Sequence, residues 1–111
     1  MKLELPIPVG VNALYKQGKH GWYKSEKAQV WLKEALWAMK MQGKGQDKPS
    51  GDTVYITWVF ADKRKRDIDS GIKLLLDAIV TAGIIKDDSQ ITFLQVQKTK
   101  GYRNTCLVEI G

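Results

Sequence analysis

The 111-residue sequence is poor in the residues that bind soft metals or form cross-links. It contains one cysteine, Cys106, and one histidine, His20. A single thiol excludes an internal disulfide, and one thiol with one imidazole cannot supply the four ligands of a structural zinc site. Any metal bound by this chain would therefore have to be held by oxygen ligands.

Long apolar runs are also missing, because charged residues interrupt every stretch before it reaches the roughly 18 residues that a membrane-spanning helix needs. The apolar N-terminal segment contains Glu4, which is untypical of a signal peptide. We therefore expect a cytoplasmic protein without a membrane segment. With 43% hydrophobic residues, the chain can bury a core of its own, and we expect one domain over residues 1–111.

Acidic residues are in the minority. Twelve Asp and Glu face eighteen Lys and Arg, which gives a net charge of +6. An excess of positive charge favours a polyanionic partner such as nucleic acid over an acidic substrate pocket. Many soluble proteins are basic, however, so the charge alone does not identify the partner.

The hydrophobic patterns predict the element order β, loop, α, β, α, β, β in an α/β (α+β) fold. We expect a mixed β-sheet with two helices packed on one face and a C-terminal β-hairpin. The central strand offers apolar groups to both faces, so a second copy of the chain could cover the other face. The predicted segments are a strand at 1–7, a loop at 6–21, a helix from Glu26 to about Met41 capped by Ser25, a strand at 53–61, a helix from Asp69 to about Ala82 before Gly83, and strands at 90–100 and 103–110.

The densest charge lies in KRKRDIDSGIK, where four cations precede Asp67 and Asp69, and Lys73 follows four residues later. A second pair, Asp87 and Asp88, lies in the loop after the predicted helix. Clustered carboxylates repel one another unless a cation lies among them, and Mg²⁺ or Mn²⁺ prefers such oxygen ligands. A helix of about 13 residues would hold the pairs about 20 Å apart, so they meet only if the loop doubles back.

The same residues also fit an ordinary helix start. Asp67 is a good N-cap, Asp69 and Lys73 have the spacing of an ion pair, and the second acidic pair suits a turn. The run Lys63 to Arg66 favours a bound polyanion, because such a partner would relieve its self-repulsion. Both interpretations stay open at this point.

The stretch RKRDIDSGIKLLLDAIVTAGIIKDDSQI resembles the signature of the RusA-like crossover junction endodeoxyribonucleases, the Holliday-junction resolvases of bacteria and their phages. It has the basic run, the paired aspartates, the lysine four residues later, an Asp-Ala pair on a helix, and Asp-Asp before the last strands. The N-terminal PIPVGVNALY is similar to the family's proline-rich segment, with Asn12 and Tyr15 at its end. One departure is Ser70, where the family has Asn.

The resemblance implies a homodimer that binds branched DNA at four-way junctions and nicks two opposing strands with Mg²⁺ or Mn²⁺, in DNA recombination and repair. It implies Asp67, Asp69 and Asp88 as metal ligands, Asp87 as an auxiliary acid and Lys73 as a catalytic lysine. It also implies a bacterial or phage origin. The residues expected to contact DNA are Lys63, Arg64, Lys65, Arg66, Asn12, Lys98 and Lys100.

Two other functions fit the same sequence. One is a structure-selective DNA-binding protein without nuclease activity, and the other is a nuclease that prefers forks or flaps.

The tryptophans are predicted to differ in role. Trp31, Trp37 and Trp58 are expected in the core, whereas Trp22, in a loop rich in Gly and Lys, is expected to touch an unstacked base or a sugar.

Overall fold

The computed structural model describes the backbone of residues 1–111 and every side chain except that of Val11. Two helices and six strands are joined by short connections and two 3-10 helices. The strands are β1 (Lys2–Leu5), β2 (Tyr15–Gly18), β3 (Gly21–Lys24), β4 (Thr53–Phe60), β5 (Phe93–Lys100) and β6 (Thr105–Ile110); the helices are α1 (Glu26–Gln42) and α2 (Ile72–Thr81); the 3-10 helices are Val11–Ala13 and Asp88–Gln90.

Four strands form the main sheet in the order β1-β6-β4-β5. The sheet is mixed, because β4 runs parallel to β5 and antiparallel to β6. The two C-terminal strands run in opposite directions, as expected, but β4 lies between them and pairs with both. The interior position of β4 explains its apolar, β-branched sequence, since neither edge of this strand faces water.

One hydrophobic core lies between the two helices and one face of this sheet, as predicted. The strands supply their inward residues, including Ile56 and Trp58, and α1 supplies Trp31. Cys106 is also in this core, where burial raises the pKa of its thiol to about 12. The thiol is therefore a small packing group that stays protonated at neutral pH.

Helix α1 begins where the sequence predicts. The Ser25 hydroxyl oxygen accepts the N–H of Ala28 at 3.2 Å, which caps the first turn. The expectation that Trp37 lies in the core is wrong, because this side chain is 66% exposed. Trp37 falls between the buried positions Ala35 and Met39 and therefore points to the opposite side of the helix. Among the described residues, no helix is long and apolar enough to cross a membrane.

Helix α2 begins at Ile72, three residues later than predicted, because residues 68–71 form a turn. The N–H groups of Ser70 and Ile72 bond to C=O groups three residues earlier, as in a turn and not as in an α-helix. Gly71 also packs closely on Pro8, since a Cβ atom there would lie 2.7 Å from Cγ of Pro8. The helix ends as predicted before Gly83, whose φ of +77° lies in the left-handed region that favours glycine.

The predicted loop 6–21 contains structure that the sequence pattern missed. Strands β2 and β3 form a small antiparallel sheet of their own. Strand β3 begins at Gly21, whose φ of +112° lies in the left-handed region that favours glycine. Neither strand buries a residue, so the alternation of apolar and polar residues that reveals most strands is absent here.

Candidate functional site

The paired aspartates lie on a turn, residues 67–71, which we call the acidic turn. The core fixes its backbone, because Trp58 on β4 donates its indole N–H to the C=O of Ile68 at 2.6 Å. The C=O groups of Asp67 and Asp69 each accept a backbone N–H at 3.3 Å. Both aspartate side chains are exposed. The turn therefore presents two carboxylates to solvent from a backbone held by the core.

The N-terminal residues Pro6–Gly10, the proline segment, pack against this turn. A Cβ atom at Gly10 would collide with Oγ of Ser70, so the two backbones approach closely. The segment and the turn enclose a cleft of about 300 Å³. Its lining residues are Ile7, Pro8, Gly10, Trp58, Phe60, Lys65, Arg66, Asp67, Ser70 and Gly71.

Asp67 and Asp69 do not take the structural roles that their positions allow. The N-cap position of α2 is Gly71, and no side chain caps the helix there. Asp69 and Lys73 form no ion pair; the pairs among the described side chains are Lys24–Asp77, Arg66–Asp62 and Arg103–Glu4. No described side chain donates a hydrogen bond to either carboxylate, since the side-chain bonds of this region go to Asp62 and to backbone C=O groups. Both carboxylates are thus available to a ligand.

The second pair, Asp87 and Asp88, is organised differently. The Asp87 carboxylate accepts the hydroxyl of Ser89 at 2.9 Å and its N–H at 3.4 Å. The side-chain oxygen of Gln90 accepts the N–H of Asp87 at 3.3 Å, which completes a capping box for the 3-10 helix. The bonds from Ser89 hold the pKa of Asp87 below its ordinary value. Asp87 therefore has the turn role that the sequence allowed, whereas Asp88 is exposed.

Helix α2 separates the two pairs. Its ten residues span about 15 Å. The acidic turn lies near Trp58, toward the end of β4, whereas Gln90 donates its side-chain N–H to the C=O of Ser50 at 3.0 Å, before β4 begins. Within the described side chains, no group of three His, Cys, Asp or Glu could hold a metal ion. A single chain therefore does not bring Asp88 together with Asp67 and Asp69.

Residues 61–66, the basic loop, are shaped by Asp62. Its carboxylate accepts two bonds from the Arg66 guanidinium, at 2.5 and 2.9 Å, and the N–H of Arg64 at 3.1 Å. The Arg66 bonds hold the pKa of Asp62 well below its ordinary value. Arg66 also lies over the ring of Phe60, 4.2 Å from its centre. Arg66 is thus engaged within the protein, whereas the other three cations of the run, 63–65, are exposed.

Two further residues hold this loop, one on β5 and one in the connection before β6. Lys98 donates its ammonium N–H to the C=O of Arg66 at 2.8 Å. The Asn104 side chain accepts the N–H of Ala61 at 2.8 Å. Asp62 and Asn104 were missed at the level of sequence, where the only signal was the spacing of Asp62 four residues before Arg66.

The other predicted DNA contacts lie at different distances from the acidic turn. Lys100 lines a shallow groove of about 450 Å³ together with Lys63 and Arg64. Asn12 instead lines a groove against α1, beside Tyr15 and Glu34. The structure therefore groups Lys100 with the basic loop and leaves Asn12 outside the cleft of the acidic turn.

Lys73 is exposed in the first turn of α2, as the polar stripe of this helix predicted. Asp77 lies one turn further on and pairs with Lys24 of β3 at 3.9 Å. The described ion pairs do not include Lys73. Its ammonium is therefore available to a phosphate next to the acidic turn.

Comparison with known proteins identifies this arrangement. The family model described as endodeoxyribonuclease RusA matches residues 6–111. The chain belongs to the RusA family. A relative from Aquifex aeolicus (strain VF5), named crossover junction endodeoxyribonuclease RusA, is 32% identical over 101 residues, which cover 87% of this chain and 79% of that protein. A crossover junction endodeoxyribonuclease rusA of Enterobacteria phage HK97 is 27% identical over 92 residues, which cover 83% and 77%.

The resemblance to the RusA family predicted from the sequence is thus confirmed. The matched range begins at Pro6, so it includes the proline segment, the basic loop, the acidic turn and both acidic pairs. In this chain, Pro8 and Gly10 of the matched range pack closely on acidic-turn residues some 60 positions later.

Proposed function

We propose that this RusA-family protein is a metal-dependent endonuclease that resolves four-way DNA junctions by paired nicks in opposing strands, in recombination and repair. The names of its relatives support the junction as substrate. The observation that carries the proposal is the pair Asp67 and Asp69, two exposed carboxylates without a structural role, on a turn that Trp58 ties to the core. Its DNA substrate would place the protein in the cytoplasm of a bacterium or of a phage-infected cell.

Asp67 and Asp69 are the proposed metal ligands. Their carboxylates suit Mg²⁺, or Mn²⁺ in its place, which binds through one or two carboxylates and keeps sites for water and phosphate oxygens. When bound, the ion supplies Lewis-acid activation of a phosphodiester and a more acidic water. Asp88, the third proposed ligand, would complete the set if its loop moved or if a second copy supplied it. Asp87 would act as an auxiliary acid only after releasing Ser89.

The basic loop and Lys73 have separate proposed roles. Lys63, Arg64, Lys65 and Lys100 bind backbone phosphates on either side of the cut, so junction binding should weaken steeply with salt. Arg66 and Lys98 contribute by holding the loop in shape. Lys73 offsets the negative charge that develops on the phosphate during cleavage.

Paired nicking needs two active sites, and we propose that a homodimer supplies them. The sheet face not covered by the helices exposes Tyr55, Phe93 and Leu107 by 39, 47 and 43%. The rings of Tyr55 and Phe93 lie 5.6 Å apart and form one apolar patch. A second copy on this face would bury that patch. Light scattering at micromolar concentration should give twice the chain mass, and a monomer mass would contradict the dimer.

The activity is tested by cleavage of a synthetic four-way junction, compared with a fork, a duplex and a single strand, in Mg²⁺ or in EDTA. Asp69→Asn is compared with wild type and with Asp47→Asn, which removes one exposed carboxylate outside the site. We expect paired nicks in opposing strands that require both metal and Asp69 and are unchanged in the control. Tight junction binding without cleavage in any metal would instead indicate a structure-selective binding protein. Preferential cleavage of forks would indicate the fork nuclease.

A further inference from the structure

The hairpin formed by β2 and β3 contributes nothing to the hydrophobic core, yet it is rich in aromatic residues. Gln17 lies opposite Trp22, and Lys16 lies opposite Tyr23. No residue of either strand is buried. Trp22 is 70% exposed, Tyr23 49% and Tyr15 40%. Apolar surface of this kind, which folding does not bury, is typical of a binding surface.

The charge of the hairpin indicates what it binds. Residues 15–24 contain Lys16, Lys19, Lys24 and His20 but no acidic residue. Aromatic rings interleaved with cations suit single-stranded nucleic acid, in which bases stack on the rings and phosphates bind the cations. A protein partner fits less well, because lysine is depleted in the centres of protein interfaces.

The hairpin is supported rigidly at its base. Leu14, just before β2, is fully buried. Ser25, just after β3, donates its hydroxyl to the C=O of Ala13 at 2.6 Å and its N–H to the C=O of Leu14 at 2.8 Å. The ring of Tyr23 lies on Gly18, where a Cβ atom would be 2.6 Å from the ring. Trp22 therefore extends from a fixed ribbon and is the most exposed of its three aromatic side chains.

The base of the hairpin lies beside the helix that follows the acidic turn. Lys24 contacts Asp77 of α2 at 3.9 Å. Asp77 is one turn after Lys73, on the same side of the helix. Trp22 is two residues before Lys24 and thus lies on the same face of the ribbon. The ring is therefore carried on the ribbon face that adjoins the polar stripe of α2.

We propose that this hairpin binds unstacked nucleotides at the branch point of DNA, with Trp22 stacked on a base and Lys19, in the turn between the two strands, on a neighbouring phosphate. The inference rests on the proposed function for the choice of DNA as ligand. It assigns the recognition of branching to a surface separate from the cleavage site. Bases within a duplex are already stacked on their neighbours, so a stacking platform favours DNA in which some bases are free.

The test measures DNA binding in EDTA, so that the result does not depend on cleavage. A four-way junction with 2-aminopurine at the branch and a plain duplex of equal length are titrated with wild type, Trp22→Ala, Trp22→Phe and Trp37→Ala. Trp37 is a matched control, because it is 66% exposed on α1. Circular dichroism checks that each variant is folded.

We expect Trp22→Ala to bind the junction about tenfold more weakly, within the range for loss of one base–aromatic stack. This variant should also lose the 2-aminopurine fluorescence change, while its duplex affinity stays within about twofold of wild type. Trp22→Phe should retain most of the signal, and Trp37→Ala should match wild type. Equal losses on junction and duplex, or no loss on either, would overturn the inference. A protein that cuts junctions without needing Trp22 would disprove this inference alone, whereas Trp22-dependent binding without cleavage would disprove only the proposed function.

Discussion

The two acidic pairs at the ends of α2 look alike in the sequence but differ in what their carboxylates do. The backbone of the acidic turn is held by other groups, above all the Trp58 indole, and the carboxylates of Asp67 and Asp69 accept no hydrogen bond from a described side chain. Asp87 instead uses its carboxylate to hold its own turn. A carboxylate is free for chemistry when its turn is positioned by something else, because it need not satisfy the backbone N–H groups nearby.

The surroundings differ in the same direction. The acidic turn follows four cations in succession, of which only Arg66 has an ion-pair partner among the described residues. The pair Asp87 and Asp88 is preceded by one cation, Lys86. The cations beside the first pair would therefore attract a polyanion more strongly than the single cation beside the second pair. The comparison predicts that substitutions at the acidic turn affect mainly cleavage, whereas those at Asp87 affect mainly folding.

The largest expected effect is that of Asp69→Asn, compared with Asp87→Asn, since each removes one negative charge. Asp69→Asn should lower the single-turnover cleavage rate by roughly 10²-fold or more, because a metal ligand is lost. Junction binding in EDTA should be unchanged or tighter, since a charge near phosphate is removed. Asp87→Asn should change the rate only a few fold. Parallel loss of cutting and binding in folded Asp69→Asn would contradict its role.

Lys73→Ala should have the next largest effect. The lysine has no ion-pair partner among the described residues, and its loss should slow cleavage by about tenfold to a hundredfold while Mn²⁺ affinity stays the same. Lys33→Ala, which removes an exposed lysine from α1, serves as the control. A rate equal to wild type would make Lys73 an ordinary solvent-exposed lysine.

Trp58→Phe tests whether the core tether matters to the acidic turn. The substitution keeps an aromatic ring but removes the bond to the C=O of Ile68, so the carboxylates should be less well positioned. We expect cleavage to slow by about tenfold with little change in junction affinity. Ile110→Val trims a fully buried core side chain next to Val54, at the opposite end of β4, and controls for loss of stability. Equal rate losses in both variants would reduce the tether to a general stabilising contact.

Local features of this chain could be predicted from the sequence. The Ser25 cap, the alternation along β4 and the end of α2 at Gly83 depend on neighbouring residues, and all three appear as expected. The start of α2 was predicted three residues too early, because the turn before it is surrounded by long-range contacts, such as that of Gly71 with Pro8, 63 positions earlier. The position of β4 between β5 and β6 likewise results from pairing between strands that are distant in the sequence.

The candidate site likewise has features that depend on local sequence and features that depend on long-range contacts. The residue types and their spacing sufficed to select Asp67, Asp69 and Lys73 as a possible metal and phosphate site. The sequence did not show which pair has carboxylates without hydrogen bonds. That depends on hydrogen-bond donors from other elements, such as the Trp58 indole, which hold the backbone of the acidic turn. The role of Asp62 in shaping the basic loop had a local signal, its spacing four residues before Arg66, whereas its bond from Asn104 is long-range and left none.

The smallest expected effect on cleavage, and the clearest on stability, is that of Asp87→Ala. The pKa of Asp87 is lowered in the folded state, so its carboxylate stabilises the fold above the ordinary Asp pKa of about 3.9, and this contribution is lost as pH falls through the folded value. The thermal midpoint of Asp87→Ala should therefore lie furthest below wild type near neutral pH and converge with it in acid. Asp87→Asn, which keeps a capping oxygen, should fall between the two. A gap that widens in acid would contradict the lowered pKa, and a folded Asp87→Ala that no longer cleaves would make Asp87 as necessary to the reaction as Asp69.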